Sequence, residues 1–161
     1  HGRDKKGLFI HETIGYNFSF TEMQAAIGVS QMKKLPKIII KKKAIYDIYL
    51  KELKSVTALK PQFIDKRVSP VFWFVTYLCK EAKELAEFLQ NSGVQTRKFF
   101  YPLNMQPCYS NNDIVRNIRG DFKLSETIYN EGISLPSSYI LTKNEQLYVI
   151  DKIKEFYANR N

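Results

Sequence analysis

Few side chains in this sequence have the types and spacing that metal chemistry requires. His11 and Glu12 begin like the zinc-protease pattern His-Glu-x-x-His, but Gly15 stands where the second histidine would follow. Two histidines, two distant cysteines at Cys79 and Cys108, and no clustered carboxylates cannot readily supply the three or four ligands of a zinc site. We therefore predict no metal.

Phosphate-loop and nucleophile chemistry have no complete signature either. None of the seven glycines builds a dinucleotide or nucleoside-triphosphate loop, and no serine is flanked by glycines as an elbow nucleophile. Lysines are abundant, but a Schiff-base lysine needs a desolvated, anchored setting to lose its proton near neutral pH. None of the lysine-rich runs suggests that setting, so we predict no catalytic residue in this chain.

Helical segments are predicted in the first third of the chain. Thr21 and Gln24 form a capping box, so a helix should start at Thr21. Pro36 lacks an amide hydrogen and disfavours helical geometry at Leu35. We therefore expect a break there, with residues 37–54 forming a second helix or a kinked continuation.

The rest of the sequence predicts a small sheet among helices. Val, Phe, Trp and Tyr dominate residues 69–78, which favours a buried central strand. Gly93 supplies the left-handed residue that ends a helix at 81–90, and Thr142 with Glu145 forms a second capping box that opens a final helix. The remaining predicted elements are a strand at 94–100, an ordered loop at 101–112, a helix at 121–131 closed by Gly132, and a short apolar run at 133–135.

Residues 15–28, GYNFSFTEMQAAIG, resemble the segment that follows the cofactor lysine in the DegT/StrS-type sugar aminotransferases, and Gln31 and Leu35 extend the match. Further short motifs agree in order along nearly the whole chain: HGR at 1–3, GVQTR at 93–97, YPL at 101–103, QP at 106–107 and SLP at 134–136. The resemblance implies an α+β fold. It would be the small C-terminal domain of a fold-type-I aminotransferase, a small sheet packed with helices, preceded by a long kinked helical segment.

The same resemblance implies a domain organisation. Residues 1–60 would form a bridging and dimerisation segment, and residues 61–161 the small C-terminal α+β domain. The large N-terminal domain, which carries the lysine that binds pyridoxal 5′-phosphate (PLP), has no counterpart in this sequence, and the first residue, His1, fits a start inside a longer polypeptide. We therefore expect this chain to be inactive alone and not to hold PLP by itself.

Four side chains are assigned to the site by the resemblance. Asn17 would donate a hydrogen bond to the cofactor phosphate of the neighbouring subunit, a directed contact that adds no charge. Arg3, Tyr101 and Asn104 would contact the substrate. Many family members have arginine where this chain has Ser19, and a histidine where it has Asn104, so the identity of the substrate stays open. Taken alone, Asn17 also suits a turn ahead of a capped helix.

The function implied for the intact enzyme is the transfer of an amino group to a keto sugar linked to a nucleoside diphosphate. The partners would be the nucleotide-diphospho-sugar, glutamate as the amino donor, and a second subunit in a homodimer. Such enzymes serve polysaccharide biosynthesis, and the sparse cysteines favour a reducing, cytoplasmic setting.

Two other functions remain as alternatives. One is a non-enzymatic interaction or regulatory domain derived from such an enzyme. The other is a small nucleic-acid-binding module, which is motivated only by the net charge of +9. Residues 97–100 alternate basic and aromatic side chains, but a buried strand explains them more simply than a surface for stacking bases. We therefore predict no nucleic-acid partner. The longest apolar stretches are interrupted well before the ~20 residues of a bilayer span, so we predict no membrane association.

Overall fold

A computed structural model describes residue 16, residues 18–107 and residues 120–160. The elements in chain order are α1 (Glu22–Glu52), β1 (Lys60–Pro61), β2 (Val75–Leu78), α2 (Ala82–Asn91), β3 (Arg97–Lys98), a 3-10 turn (Leu103–Met105), α3 (Lys123–Glu131), β4 (Gly132–Leu135) and α4 (Lys143–Ala158). Contacts divide the chain into two compact units, His1–Lys37 and Ile38–Asn161.

Helix α1 begins at the predicted capping box. The Gln24 amide donates to Thr21 Oγ1 at 3.3 Å, and the Thr21 amide donates to Gln24 Oε1 at 3.0 Å. These two bonds satisfy amides that have no partner within the first helical turn. The predicted start of the helix is confirmed.

α1 continues through Pro36 to Glu52 as one helix, so a separate second helix is wrong and the alternative of a continuation is confirmed. A proline inside a helix removes one hydrogen bond and costs about 3 kcal/mol. Lysine, leucine and isoleucine around Pro36 tolerate helical geometry, and the last turns of α1 bury Ile45, Tyr46 and Tyr49. Burial of each such side chain is worth roughly 1.5–3 kcal/mol, which offsets the single lost bond.

The four strands form one antiparallel sheet in the order β1-β2-β4-β3. β2 lies between β1 and β4, which confirms that it is a central strand. It is shorter than predicted, since it spans Val75–Leu78 instead of 69–78, and β3 spans two residues instead of 94–100. β2 pairs with β4 from Val75 opposite Leu135 to Leu78 opposite Gly132, so the length of β4 limits it.

The helix boundaries follow the local signals closely. α2 ends where Gly93 has a φ of 75°, as predicted. α3 begins at Lys123, two residues later than predicted, because Asp121 accepts a hydrogen bond from the Lys123 amide at 3.0 Å ahead of the helix. α4 opens with the complete capping box of Thr142 and Glu145.

One face of the sheet forms the core with the helices. On it Val75 and Tyr77 of β2 stand beside Leu135 and Ile133 of β4. The side chains that join them in the core are Ile45 and Tyr49 of α1, Leu85 and Leu89 of α2, and Val149, Ile150 and Ile153 of α4. Thr76 and Ser134 alternate with these residues and so point to the other face. Among the described residues, no helix is both long and apolar enough to cross a membrane.

The capping box of α4 predicts a pH dependence of stability. Hydrogen bonds from Thr142 hold the pKa of Glu145 below its ordinary value of 4.5. Because the pKa of Glu145 is lowered in the folded state, its carboxylate stabilises the fold above the unfolded pKa, and this stabilisation is lost as the pH falls through the folded pKa. In thermal melts at neutral pH, the wild type should therefore have a higher unfolding midpoint than Glu145→Gln. At acidic pH the two midpoints should be equal. A constant difference from pH 7 to pH 3 would contradict this.

Candidate functional site

The face of the sheet opposite the core borders a cleft of about 720 Å³, here called the open-face cleft. Its lining includes Gln62, Phe63, Phe74, Thr76, Arg97, Phe99, Phe100 and Ser134. A volume of this size lies within the range of small-molecule sites. The sheet positions the cleft because Arg97 of β3 stands opposite Ser134 of β4, which in turn stands opposite Thr76 of β2.

Phe99 lies directly on the glycine at the start of β4. A Cβ built on Gly132 would be 2.5 Å from Cγ of Phe99 and would also meet the backbone oxygen of Ile128. The φ of Gly132 is −87°, so any residue could adopt this backbone conformation. Glycine is required here for space, which lets the Phe99 ring close one wall of the cleft.

Arg97 is exposed on the edge strand of the sheet. Within the described part of the chain, its guanidinium has no ion pair and no hydrogen bond. It lines the open-face cleft and also a neighbouring cleft of about 390 Å³ that contains Lys42, Gln95 and Ser137. Arg97 also lines a third cleft, which contains Glu87. A guanidinium that has no hydrogen bond to a carboxylate can receive an anion.

Three residues beside Arg97 form a stacked group. The Lys98 ammonium lies 3.9 Å from the ring centroid of Tyr129, and the Tyr101 ring meets Tyr129 edge-on at 5.2 Å. Sequence reasoning missed Lys98 and Tyr129, since no spacing signal connects β3 with α3. The interpretation of residues 97–100 as a buried strand is wrong: both residues of β3 are exposed, and Phe100 is 78% exposed.

The loop that carries two of the predicted site residues is anchored at Pro102, which is buried. The Met105 amide donates to the Pro102 carbonyl at 3.0 Å and closes the 3-10 turn. Tyr101 stands at the start of this loop, and Asn104 is half-buried within the turn. The structure thus brings these two candidates onto one short segment.

The other two predicted site residues, Arg3 and Asn17, lie outside the described residues. Their assignments stay predictions. Within the described ranges, no group of three or more His, Cys, Asp and Glu side chains could hold a metal ion. Cys79 is buried as a free thiol.

Lys42 does not suit the role of the lysine that binds PLP as a Schiff base. The Lys42 ammonium donates at 2.5 Å to the carbonyl oxygens of Trp73 and Ser137. Burial lowers the pKa of Lys42. Its ammonium donors are committed to two carbonyl acceptors, and an ammonium has no lone pair for nucleophilic attack. Its role is to tie two loops together, and no step of an amino-transfer reaction can be assigned to it.

Comparison with known proteins identifies the group to which the chain belongs. The profile of the DegT/DnrJ/EryC1/StrS aminotransferase family matches residues 1–154. The chain belongs to this family. The resemblance seen in the sequence motifs is thereby confirmed, and with it the α+β fold class. Aminotransferases of this family are PLP enzymes.

Individual family members show how much of an enzyme the chain covers. It is 31% identical over 153 residues to GDP-perosamine synthase of Escherichia coli O157:H7, covering 93% of this chain and 40% of that protein. It is 30% identical over 163 residues to a pleiotropic regulatory protein of Geobacillus stearothermophilus, covering 99% and 42%. The crystal structure of DesV from S. venezuelae in complex with a ketimine intermediate superimposes with a TM-score of 0.82 at 25% identity, covering 92% and 40%. The chain spans about two-fifths of the length of these family members.

Proposed function

We propose that this chain forms the small-domain part of a PLP-dependent aminotransferase that converts a nucleotide-linked keto sugar into an amino sugar. The observation that carries the proposal is the family match over residues 1–154, together with the similarity to a GDP-perosamine synthase over nearly the whole chain. The substrate is a nucleotide-diphospho-sugar, and the amino donor is glutamate. The reaction belongs to cytoplasmic polysaccharide biosynthesis.

The share of this chain in the reaction is to bind and orient the substrate. The loop at 101–107 is anchored at Pro102, so Tyr101 and Asn104 are offered on a fixed backbone. A phenol and an amide suit the hydroxyl groups of a sugar, because each can both donate and accept hydrogen bonds. Arg3 is assigned to the same substrate as a further cationic contact.

Catalysis requires a part of the enzyme beyond the described residues. PLP would supply the electron sink, and protein groups would position cofactor and sugar. Lys42 is committed to two carbonyl oxygens and is not assigned the Schiff-base role, and the proposal places the Schiff-base lysine in the large domain that this chain does not include. The proposal therefore includes that this chain is inactive alone.

A homodimer follows from the role assigned to Asn17, which would donate to the cofactor phosphate of the neighbouring subunit. The first turns of α1, within the unit His1–Lys37, support an interface. They expose two pairs of apolar side chains at spacings of four and three residues, Met23 with Ile27 and Val29 with Met32. Neighbouring apolar side chains that stay exposed mark surfaces that bind a partner.

A chimera tests the proposed function. This chain is inserted in place of the matched two-fifths of the Escherichia coli GDP-perosamine synthase. With PLP and glutamate, the chimera should form amino sugar from the keto-sugar nucleotide, whereas this chain alone should form none. Asn104→Ala should raise the KM for the sugar nucleotide about five- to tenfold, the usual cost of one lost hydrogen bond.

The controls separate binding from folding. Asn144→Ala removes an amide from an exposed position in the first turn of α4 and should leave the KM unchanged. Asn17→Ala should weaken retention of PLP in the dimeric chimera. A folded, dimeric chimera without any transfer activity would count against the proposal, and so would activity of this chain alone.

A second candidate function is a non-enzymatic regulatory domain, and the similarity to a protein named as a pleiotropic regulator favours it. It predicts that the chain folds, binds a macromolecular partner and has no affinity for a nucleotide sugar. Calorimetry with GDP- and UDP-sugars distinguishes the two candidates, since the aminotransferase proposal requires such affinity in the chimera.

A further inference from the structure

The ring of Tyr101 needs a contact that its own loop does not provide. The buried Pro102 anchors the backbone of this loop, and the Met105 amide closes the 3-10 turn onto the Pro102 carbonyl. These contacts fix the chain, but they do not select a rotamer of the Tyr101 side chain. A ring that samples several rotamers binds a ligand more weakly, because it loses that freedom on binding.

Tyr129 supplies such a contact from a rigid part of the fold. The rings of Tyr129 and Tyr101 meet at 5.2 Å between centroids, with an angle of 87° between their planes. This is the edge-on geometry that aromatic pairs favour. Tyr129 lies in α3, and the chain passes directly from α3 into β4, which pairs with both β2 and β3. Tyr129 is therefore the fixed member of the pair.

Lys98 holds the Tyr129 ring from the side of the sheet. Its ammonium lies 3.9 Å from the ring centroid, which is within the range of a cation–π contact. Lys98 stands opposite Ile133 of β4, so the cation and the end of α3 are tied to the same strand. The orientation of the Tyr129 ring is thus set by the ammonium as well as by the Tyr101 ring.

Tyr101 keeps an accessible side although it is held by Tyr129. Its side chain is 39% exposed, whereas Tyr129 is half-buried. A phenol that is packed on one side and open on the other can present its hydroxyl to a ligand as a donor and an acceptor.

We infer that Tyr129 is a positioning residue of the substrate site, which holds the Tyr101 ring in the rotamer that meets the substrate, and that Lys98 fixes Tyr129 in turn. The inference rests on the proposed function, where Tyr101 is assigned to the substrate. Tyr129 is assigned no contact with the reacting groups. Its loss should weaken binding of the substrate and of the transition state alike, which raises the KM and leaves kcat unchanged.

The test introduces Tyr129→Leu into the chimera described above. Leucine removes the ring and keeps an apolar side chain that suits a helix. The KM for the sugar nucleotide should rise about three- to tenfold, as expected for the loss of one aromatic pair, while kcat stays the same. Tyr129→Phe keeps the ring and should have the wild-type KM. Tyr139→Leu, the same substitution at a ring that is 46% exposed, should change neither value.

A double-variant cycle separates positioning from a general structural effect. If Tyr129 acts through Tyr101, then Tyr129→Leu should not raise the KM any further in a Tyr101→Ala background. A further increase in that background would overturn the inference, and so would an equal KM for wild type and Tyr129→Leu.

The full chain provides a second readout that does not depend on catalysis. In NMR spectra with labelled tyrosine, the ring protons of Tyr101 should lie away from their random-coil shifts in wild type and in Tyr129→Phe, and should approach them in Tyr129→Leu. Shifts of Tyr101 that do not respond to Tyr129→Leu would contradict the inference. Failure of the proposed function has a different signature, in which these shifts respond as expected while the wild-type chimera forms no amino sugar.

Discussion

Replacing Gly132 by alanine is expected to destabilise the unit Ile38–Asn161 by about 1–3 kcal/mol, the usual cost of overpacking a dense site. The new methyl group would lie 2.5 Å from Cγ of Phe99 and against the backbone oxygen of Ile128. The ring could rotate away, but the carbonyl belongs to the last turn of α3 and cannot move without disturbing the start of β4. Urea unfolding followed by circular dichroism measures the change.

Gly28→Ala is the matched control, because it makes the same substitution where a Cβ meets nothing within 4 Å. Alanine favours a helix over glycine, so this variant should be neutral or slightly stabilising. If Gly132→Ala unfolded at the same urea concentration as wild type, the tight contact between Phe99 and β4 would be refuted. The Phe99 wall of the open-face cleft would then need another explanation.

Tyr49→Ala is expected to cost about 3–5 kcal/mol, as truncation of a large core aromatic usually does. The side chain is fully buried, and its hydroxyl donates to the Pro136 carbonyl at 2.9 Å. It therefore joins the end of α1 to the segment that follows β4. Chemical denaturation of the variant measures the loss.

Tyr49→Phe separates the hydroxyl from the ring. It keeps the packing and removes one hydrogen bond, so it should cost about 1 kcal/mol. Tyr139→Ala serves as the exposed control, since that ring is 46% exposed and should contribute little. Equal stability of Tyr49→Ala and wild type would contradict the assigned core.

The parts of the fold that sequence could predict are those governed by a few neighbouring residues. Thr21 and Thr142 cap helices through hydrogen bonds to residues three positions away, and Gly93 ends α2 through its own backbone conformation. Each of these signals depends only on residues within about one helical turn of each other. They can therefore be recognised without any knowledge of tertiary contacts.

The strand lengths could not be predicted in the same way, because a strand ends where its partner ends. β4 stops at Leu135, and Pro136 has no amide hydrogen to continue the ladder, so β2 begins to pair only at Val75. β3 likewise pairs over two residues with β4. Residues 69–74 and 94–96 favour a strand by their residue types, but in the described part of the chain no strand pairs with them.

The residues of the candidate site also divide into those with a local sequence signal and those without one. Tyr101 and Asn104 are predicted as site residues from a family motif, and both lie on one anchored loop. Tyr129 was missed because it meets Tyr101 and Lys98 across a separation of about thirty residues, and a contact of that range leaves no periodic signal. Arg97 was recognised as an arginine of the motif, but its lack of a carboxylate partner becomes visible only in three dimensions.

Trp73 is the single tryptophan of the chain, and its indole is 66% exposed at the rim of the cleft beside Arg97. Its backbone is held by Lys42, and its ring packs at 4.4 Å on Phe74, which lines both clefts. The tryptophan fluorescence of this protein therefore originates from one place, beside Phe74 at the edge of the open-face cleft. Binding of a ligand in the open-face cleft can be followed by the wavelength and the quenching of the tryptophan emission, without attaching a dye.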